Sequence, residues 1–139
     1  MIRKLVPDVV HDQRLLELPP QATVREAAQR MARRKVRSTL VMEEGKLLGI
    51  FTGTDLTGRV VAAGLDPNKT LLHKVMTKEP ETIRADERAI EALRRMQRGG
   101  FRHLPVVDGA KVVGIVSRRD FYGFEADEVE RESKLWDEM

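Results

Sequence analysis

The sequence predicts an α/β (α+β) fold built from two copies of one strand–helix–strand–strand–helix unit. Three observations predict it. A shift of 65 residues lays Gln21–Asp55 over Asp86–Asp120 without a gap, with eleven identities in 35 positions. The spacing from Gly49 to Asp55 repeats from Gly114 to Asp120, with Thr52 and Ser117 in register. Within each copy the apolar residues pass from helical spacing to short strand-like runs in the same order.

Each element has a local reason. Leading strands are expected near Leu15–Leu18 and Thr82–Ile83. Thr23-Val24-Arg25-Glu26 has the spacing of a capping box and starts a helix, whose buried face is Val24, Ala27, Ala28 and Met31. In the second copy Asp86 is the expected cap, Ala89, Ile90, Leu93 and Met96 form the stripe, and Gly99-Gly100 stops the helix. Strands Thr39–Met42 and Leu104–Val107 follow. Glu44-Gly45 and Asp108-Gly109 make tight turns into strands Leu47–Phe51 and Val112–Val116. A second helix is expected from about Thr54 to Ala63, and from about Arg118 onward.

One copy is too small to bury its sheet alone, so two are expected to pack about a pseudo-twofold axis. The first repeat is placed at 8–66 and the second at 70–124, with a charged, helical tail over 125–139. Gly64 to Lys69 reads as the linker, and Leu71–Met76 as a short helical turn.

Composition sets outer limits. Among 139 residues, 41% are apolar, 34% charged and 4% aromatic, so Val, Leu, Ile, Ala and Met must make the core. There is no cysteine, which removes disulfides and thiolate chemistry. The N-terminal stretch does not read as a signal peptide, and no run approaches the roughly 20 apolar residues of a membrane span. Cytoplasmic residence is the expectation. The net charge of +3 does not demand nucleic acid as a partner. His11, His73 and His103 are isolated, so no metal site is expected. No phosphate-cradling Gly loop, nucleophile elbow or dinucleotide fingerprint occurs, and no acid/base pair stands out, so the chain does not read as an enzyme.

Phe101-Arg102-His103-Leu104-Pro105-Val106-Val107-Asp108, followed by Gly114-Ile115-Val116-Ser117-Arg118-Arg119-Asp120, resembles a cystathionine β-synthase (CBS) domain. Val75-Met76-Thr77 resembles the family's lead-in, and Gly49-Ile50-Phe51-Thr52-Gly53-Thr54-Asp55 carries the likeness in the first copy. The resemblance covers about Leu15 to Phe124. It implies a tandem pair, or Bateman module, that dimerises and regulates an enzyme, channel or transporter, expected here to be a separate chain. It also implies binding of AMP, ADP or ATP in clefts between the repeats, with S-adenosylmethionine or NAD as the lesser alternatives. No cofactor is required.

The resemblance places a ribose-binding carboxylate at Asp55 and Asp120. A carboxylate can accept from both ribose hydroxyls. Thr52 and Ser117, at the strand-to-helix junctions, suit a phosphate through their hydroxyls and the adjacent N–H groups. Arg37, Arg102, His103 and Arg118 are the implied basic contacts to phosphate; Arg119 reads as a solvated charge. Ser38, Thr39, Leu104, Pro105, Thr82 and Ile83 are the implied wall for the base. Gly49 and Gly114 allow the backbone to approach a neighbour or a ligand. Asp three residues after Ser or Thr is also a plain helix-start pattern, which leaves a capping role open. The Asp120 site is expected to be the better one, because Ser117, Arg118 and His103 keep the family pattern more closely.

Two rivals remain. Arg30, Arg33, Arg34, Lys35 and Arg37, with Arg94, Arg95, Arg98 and Arg102, could track a nucleic-acid backbone. Aromatic interleaving and recognition motifs are missing, which counts against it. A dimerisation module without ligand is the other.

Overall fold

The computed structural model describes residues 2–138 of the chain. They form two compact units, one spanning Arg14–Pro80 and the other joining the segment up to Gln13 to the segment from Glu81 onward. Residues 8–13, expected with the first repeat, therefore pack in the unit built around the second.

In the first unit, β1 (Glu17–Leu18), β2 (Ser38–Glu43), β3 (Lys46–Thr52) and β4 (Thr77–Lys78) form a four-stranded sheet in that order. β1 runs parallel to β2, and the other pairs are antiparallel. Helix α1 (Val24–Arg34) starts as expected, with Thr23 Oγ1 accepting from the Glu26 N–H at 3.1 Å. It ends at Lys35, whose φ of 55° is left-handed. The β2–β3 turn is Glu44-Gly45, both at positive φ, the conformation a two-residue hairpin favours. The short α2 (Gly53–Asp55) continues into a wider turn over Leu56–Val61, and α3 (Leu72–Val75) precedes β4. The core gathers Leu16, Leu18, Val24, Ala27, Met31, Val41, Phe51, Val60, Leu72 and Val75.

The second unit repeats the plan with β5 (Ile83–Arg84), α4 (Ala89–Gly99), β6 (His103–Asp108) and β7 (Lys111–Ser117) in a three-stranded sheet. Leu104 stands opposite Val116 and Val106 opposite Gly114, just as Thr39 faces Phe51 and Val41 faces Gly49. Both hairpins bulge at the same place, after Val41 and after Val106. The register of the two copies is therefore the same. The core joins Leu5 and Val10 to Ile83, Ile90, Leu93, Met96, Leu104, Val106, Val116, Phe121 and Val129.

Three expectations are corrected. Asp86 does not cap α4; it pairs with Arg84, and Arg88 occupies the N-cap without a side-chain bond. The second hairpin turns at Gly109-Ala110, because Asp108 still pairs with Lys111. No helix runs onward from Arg118. A single 3-10 turn over Arg118–Asp120 ends at Phe121, which is extended and buried, and the chain reverses at Gly123 with φ of 62°. Burying the Phe121 ring breaks the helix, and α5 (Phe124–Glu138) starts afresh. The tail is helical and packs on α4 through buried Val129 and an Arg94–Glu132 ion pair at 2.8 Å.

Each repeat's lead-in closes the other repeat's sheet. A Cβ at Gly49 would stand 2.5 Å from Met76 Sδ, and one at Gly114 would stand 2.5 Å from Val10 Cγ1. In the first unit the closing segment adds strand β4. In the second, Gln13 does the same work with a side chain: its Oε1 accepts from the Ile115 N–H at 2.8 Å and its Nε2 donates to the Ile115 carbonyl at 3.1 Å. The edge of β7 is thus satisfied without a fourth strand. Both glycines serve a close approach of the chain itself.

Candidate functional site

Each sheet delivers one turn at the end of its last strand, and the same backbone bond sets both turns. The Gly53 N–H donates to the Arg37 carbonyl at 3.0 Å, and the Arg118 N–H donates to the Arg102 carbonyl at 3.1 Å. The entrance of the hairpin's first strand is thereby tied to the exit of its second. Ser38 and Thr52 face one another in one hairpin, His103 and Ser117 in the other.

The aspartates close these turns as caps. Asp55 Oδ2 accepts from the Thr52 N–H at 3.0 Å and from its hydroxyl at 3.2 Å. Asp120 Oδ2 accepts from the Ser117 N–H at 2.7 Å. The capping geometry left open by the sequence is present in both copies. The aspartates differ in what remains. Asp55 is buried, and its other oxygen takes the Thr77 hydroxyl at 3.4 Å and lies 3.5 Å from Arg59 Nε. Asp120 is exposed, and its turn engages only Oδ2.

The other assigned residues divide. Arg37 and Arg102 are exposed beside their turns, and His103 is half-buried at the start of β6. Arg118 is half-buried, and its Nη2 donates to the Met96 carbonyl at 3.0 Å. The implied wall for the base is only partly realised. Leu104 and Ile83 are 0% and 1% exposed and belong to the second unit's core, so their side chains offer no surface. Thr39 is buried too, its hydroxyl donating to the Leu16 carbonyl at 3.2 Å. Strand alternation puts Pro105 on the face opposite Leu104, yet it too is buried, as is Ser38 at the start of β2. The Thr82 carbonyl accepts from Arg95 at 3.2 Å.

Sequence reasoning missed that several arginines of the basic helices are bonded within the fold, the bonds of Arg94 and Arg95 half-buried and those of Arg30 and Arg34 at the surface. Arg94 bonds Glu91 and Glu132, Arg95 bonds the Thr82 carbonyl, Arg34 bonds the Arg14 carbonyl and Arg30 pairs with Glu26. The i,i+3 and i,i+4 spacings of Glu91–Arg94 and Glu26–Arg30 were the available signal. Charge pairing holds the Glu91 carboxyl below its ordinary range, chiefly through the hydrogen bond from Arg94, and raises Arg94 through Glu132 and Glu91. A separate hollow in the second unit is lined by Ile2, Arg3, Arg88, Ile90, Phe124 and Glu125 among others. It contains none of the residues assigned to ligand. Its Arg3 is held by Glu125 and lies 4.9 Å from the Tyr122 ring. Among the described residues no cluster of three or more metal-ligating side chains occurs, and no helix is long and apolar enough to cross a membrane.

Comparison with known proteins gives this geometry a family. The model of the CBS domain matches twice, over residues 5–62 and 72–126. The CBS domain-containing protein CBSCBSPB3 of Arabidopsis thaliana is 44% identical over 102 residues, which is 73% of this chain and 18% of that protein. The arabinose 5-phosphate isomerase KdsD of Francisella tularensis is 36% identical over 107 residues, 76% of this chain and 32% of the isomerase. The chain thus spans a minor part of these curated relatives. Among solved structures, a CBS domain protein from Pyrobaculum aerophilum complexed with AMP superimposes with a TM-score of 0.76 at 25% identity, covering 86% of this chain and 93% of that one.

Proposed function

This chain belongs to the CBS-domain family, and we propose that it is a ligand-sensing regulatory module that binds an adenine nucleotide and turns over none. The Ser117–Asp120 turn is the binding turn. The observation that carries this reading is the exposed Asp120 carboxylate, held in place through Oδ2 alone. A carboxylate so placed can still accept from vicinal ribose hydroxyls, whereas Asp55 is buried and engaged through both oxygens. The AMP complex of the Pyrobaculum protein supports the ligand class. The exposed Arg102 and the Ser117 hydroxyl supply phosphate contacts. The module acts as a cytoplasmic homodimer on a separate effector protein. The nucleic-acid reading is disfavoured, because Arg94, Arg95 and Arg34 spend their donors within the fold.

Calorimetric titration with AMP and ATP tests the proposal. Bonds to a charged acceptor contribute roughly 1.5–3 kcal/mol each. Asp120→Ala is therefore expected to weaken binding about a hundredfold or more. Asp120→Ala binding like wild type refutes the ribose assignment. If duplex DNA binds at physiological salt and no nucleotide does, the function lies in the basic helices. Light scattering that finds only a 15.8 kDa monomer removes the dimer.

A further inference from the structure

Arg118 is placed oddly for a surface arginine. It follows Ser117 and precedes Asp120 by two residues, inside the binding turn, yet its side chain folds back onto α4. Nη2 donates to the Met96 carbonyl at 3.0 Å. The same carbonyl accepts the N–H groups of Gly100 and Phe101, the bonds that close the end of the helix. Nε is buried with no hydrogen-bond partner. Arg118 takes part in none of the ion pairs among the described residues. A full positive charge is thus held by one neutral carbonyl and the negative end of a helix, with a buried donor left idle. An idle buried donor is unfavourable, and a phosphate offers the guanidinium a bidentate, charged partner in its place.

We infer that Arg118 is a phosphate-operated latch on the C-terminal turn of α4; this rests on the nucleotide reading above. Without ligand, the guanidinium caps α4. A phosphate at the Ser117–Asp120 turn draws it off the Met96 carbonyl, and the last turn of α4 loosens. Without it the turn keeps only the backbone bonds from Gly100 and Phe101 to the Met96 carbonyl, and Gly99 and Gly100, its last residue and C-cap, favour the helix least. The effect is delivered to the helix that carries α5, because Arg94 of α4 holds Glu132. The first repeat has no such latch. Gly53 stands at the corresponding position, and α1 ends on backbone bonds alone, from Lys35 to Ala32 and from Val36 to Met31. The phosphate is the trigger, so a nucleoside without one binds but leaves α4 closed.

Amide hydrogen exchange at Gly100 and Phe101, read by NMR alongside calorimetry, tests the latch with adenosine and AMP as probes. In wild type, saturating AMP is expected to speed exchange at both amides by roughly threefold or more, and adenosine to leave it unchanged. Arg118→Ala is expected to exchange fast with or without AMP, and to keep only part of the preference for AMP over adenosine, through Arg102 and Ser117. AMP binding with unchanged or slower exchange overturns the latch and leaves the nucleotide reading standing. Ligand-free Arg118→Ala exchanging like wild type overturns it as well. If calorimetry detects binding of neither AMP nor ATP, the nucleotide reading fails, and the latch with it; binding of ATP alone moves the exchange test to ATP, where unchanged exchange overturns the latch.

Discussion

Replacing each aspartate in turn separates two roles that a single sequence pattern conflates. Both Asp55 and Asp120 close a capping box, and a cap lost to alanine costs about 0.5–2 kcal/mol. Asp120 is exposed, so water can replace it for the Ser117 N–H, and Asp120→Ala should fall near the lower end of that range. Asp55 is buried, and its removal also strands the Thr77 hydroxyl and takes the carboxylate from Arg59, which keeps its bonds to the Val75 and Met76 carbonyls. A buried donor left without a partner adds about 1–3 kcal/mol. Thr77 is only half-buried, its bond is long at 3.4 Å and Arg59 is half exposed, so the lower end of that range applies. Asp55→Ala is therefore expected to cost about 2–3 kcal/mol and Asp120→Ala about 0.5–1 kcal/mol. Urea unfolding, with unchanged slope as the control, measures the difference. Affinity should rank the two variants the other way, with Asp120→Ala the more damaging to AMP binding. Equal destabilisation, or a larger loss at Asp120, would refute the claim that burial separates the two sites.

Two further predictions follow from packing and charge. Gly114→Ala would press against Val10 and Gln13 and should destabilise by about 1–3 kcal/mol, whereas Gly53→Ala meets nothing within 4 Å and should be neutral within about 0.5 kcal/mol; thermal melts compare them. The folded-state value of Glu91 lies below its unfolded one, so its contribution is complete above the ordinary carboxylate range and is lost as pH falls through the folded value. Arg94→Ala should therefore reduce the loss of stability between neutral pH and the acid range, measured by urea midpoints at a series of pH values.

The repeat was legible because it is written in spacing. Helix stripes at three and four residues, hairpin turns at Glu44-Gly45, and the matched Gly-to-Asp intervals fix elements locally, and local rules suffice for them. What failed to be legible depended on residues far away in the chain. Nothing near Arg118 forbids a helix; burial of Phe121 in a core that includes Leu5 and Val10 breaks it. Asp86 has a good capping identity, but α4 starts at Ala89 and puts Arg88, not Asp86, at the N-cap. The exchange of lead-ins between repeats is invisible until Val10 meets Gly114 and Met76 meets Gly49.

The candidate site shows the same division more sharply. Thr52–Asp55 and Ser117–Asp120 carry one pattern, and the sequence could say only that it suits both a cap and a ribose. The structure makes the alternatives compatible, since a carboxylate has two oxygens and the cap requires one. What then distinguishes the copies is the second oxygen. At Asp55 it is met by Thr77 and Arg59, of which Thr77 arrives on the closing strand β4. The second unit has no counterpart to that strand; Gln13 satisfies the sheet edge with a side chain instead. The difference between a structural aspartate and one available to a ligand thus traces to how each sheet edge is closed, by a strand that brings a hydroxyl or by a glutamine that does not. Bringing a strand to the second edge should bury Asp120 as Asp55 is buried, and the ligand-binding role proposed for it should be lost, which calorimetry with AMP would show.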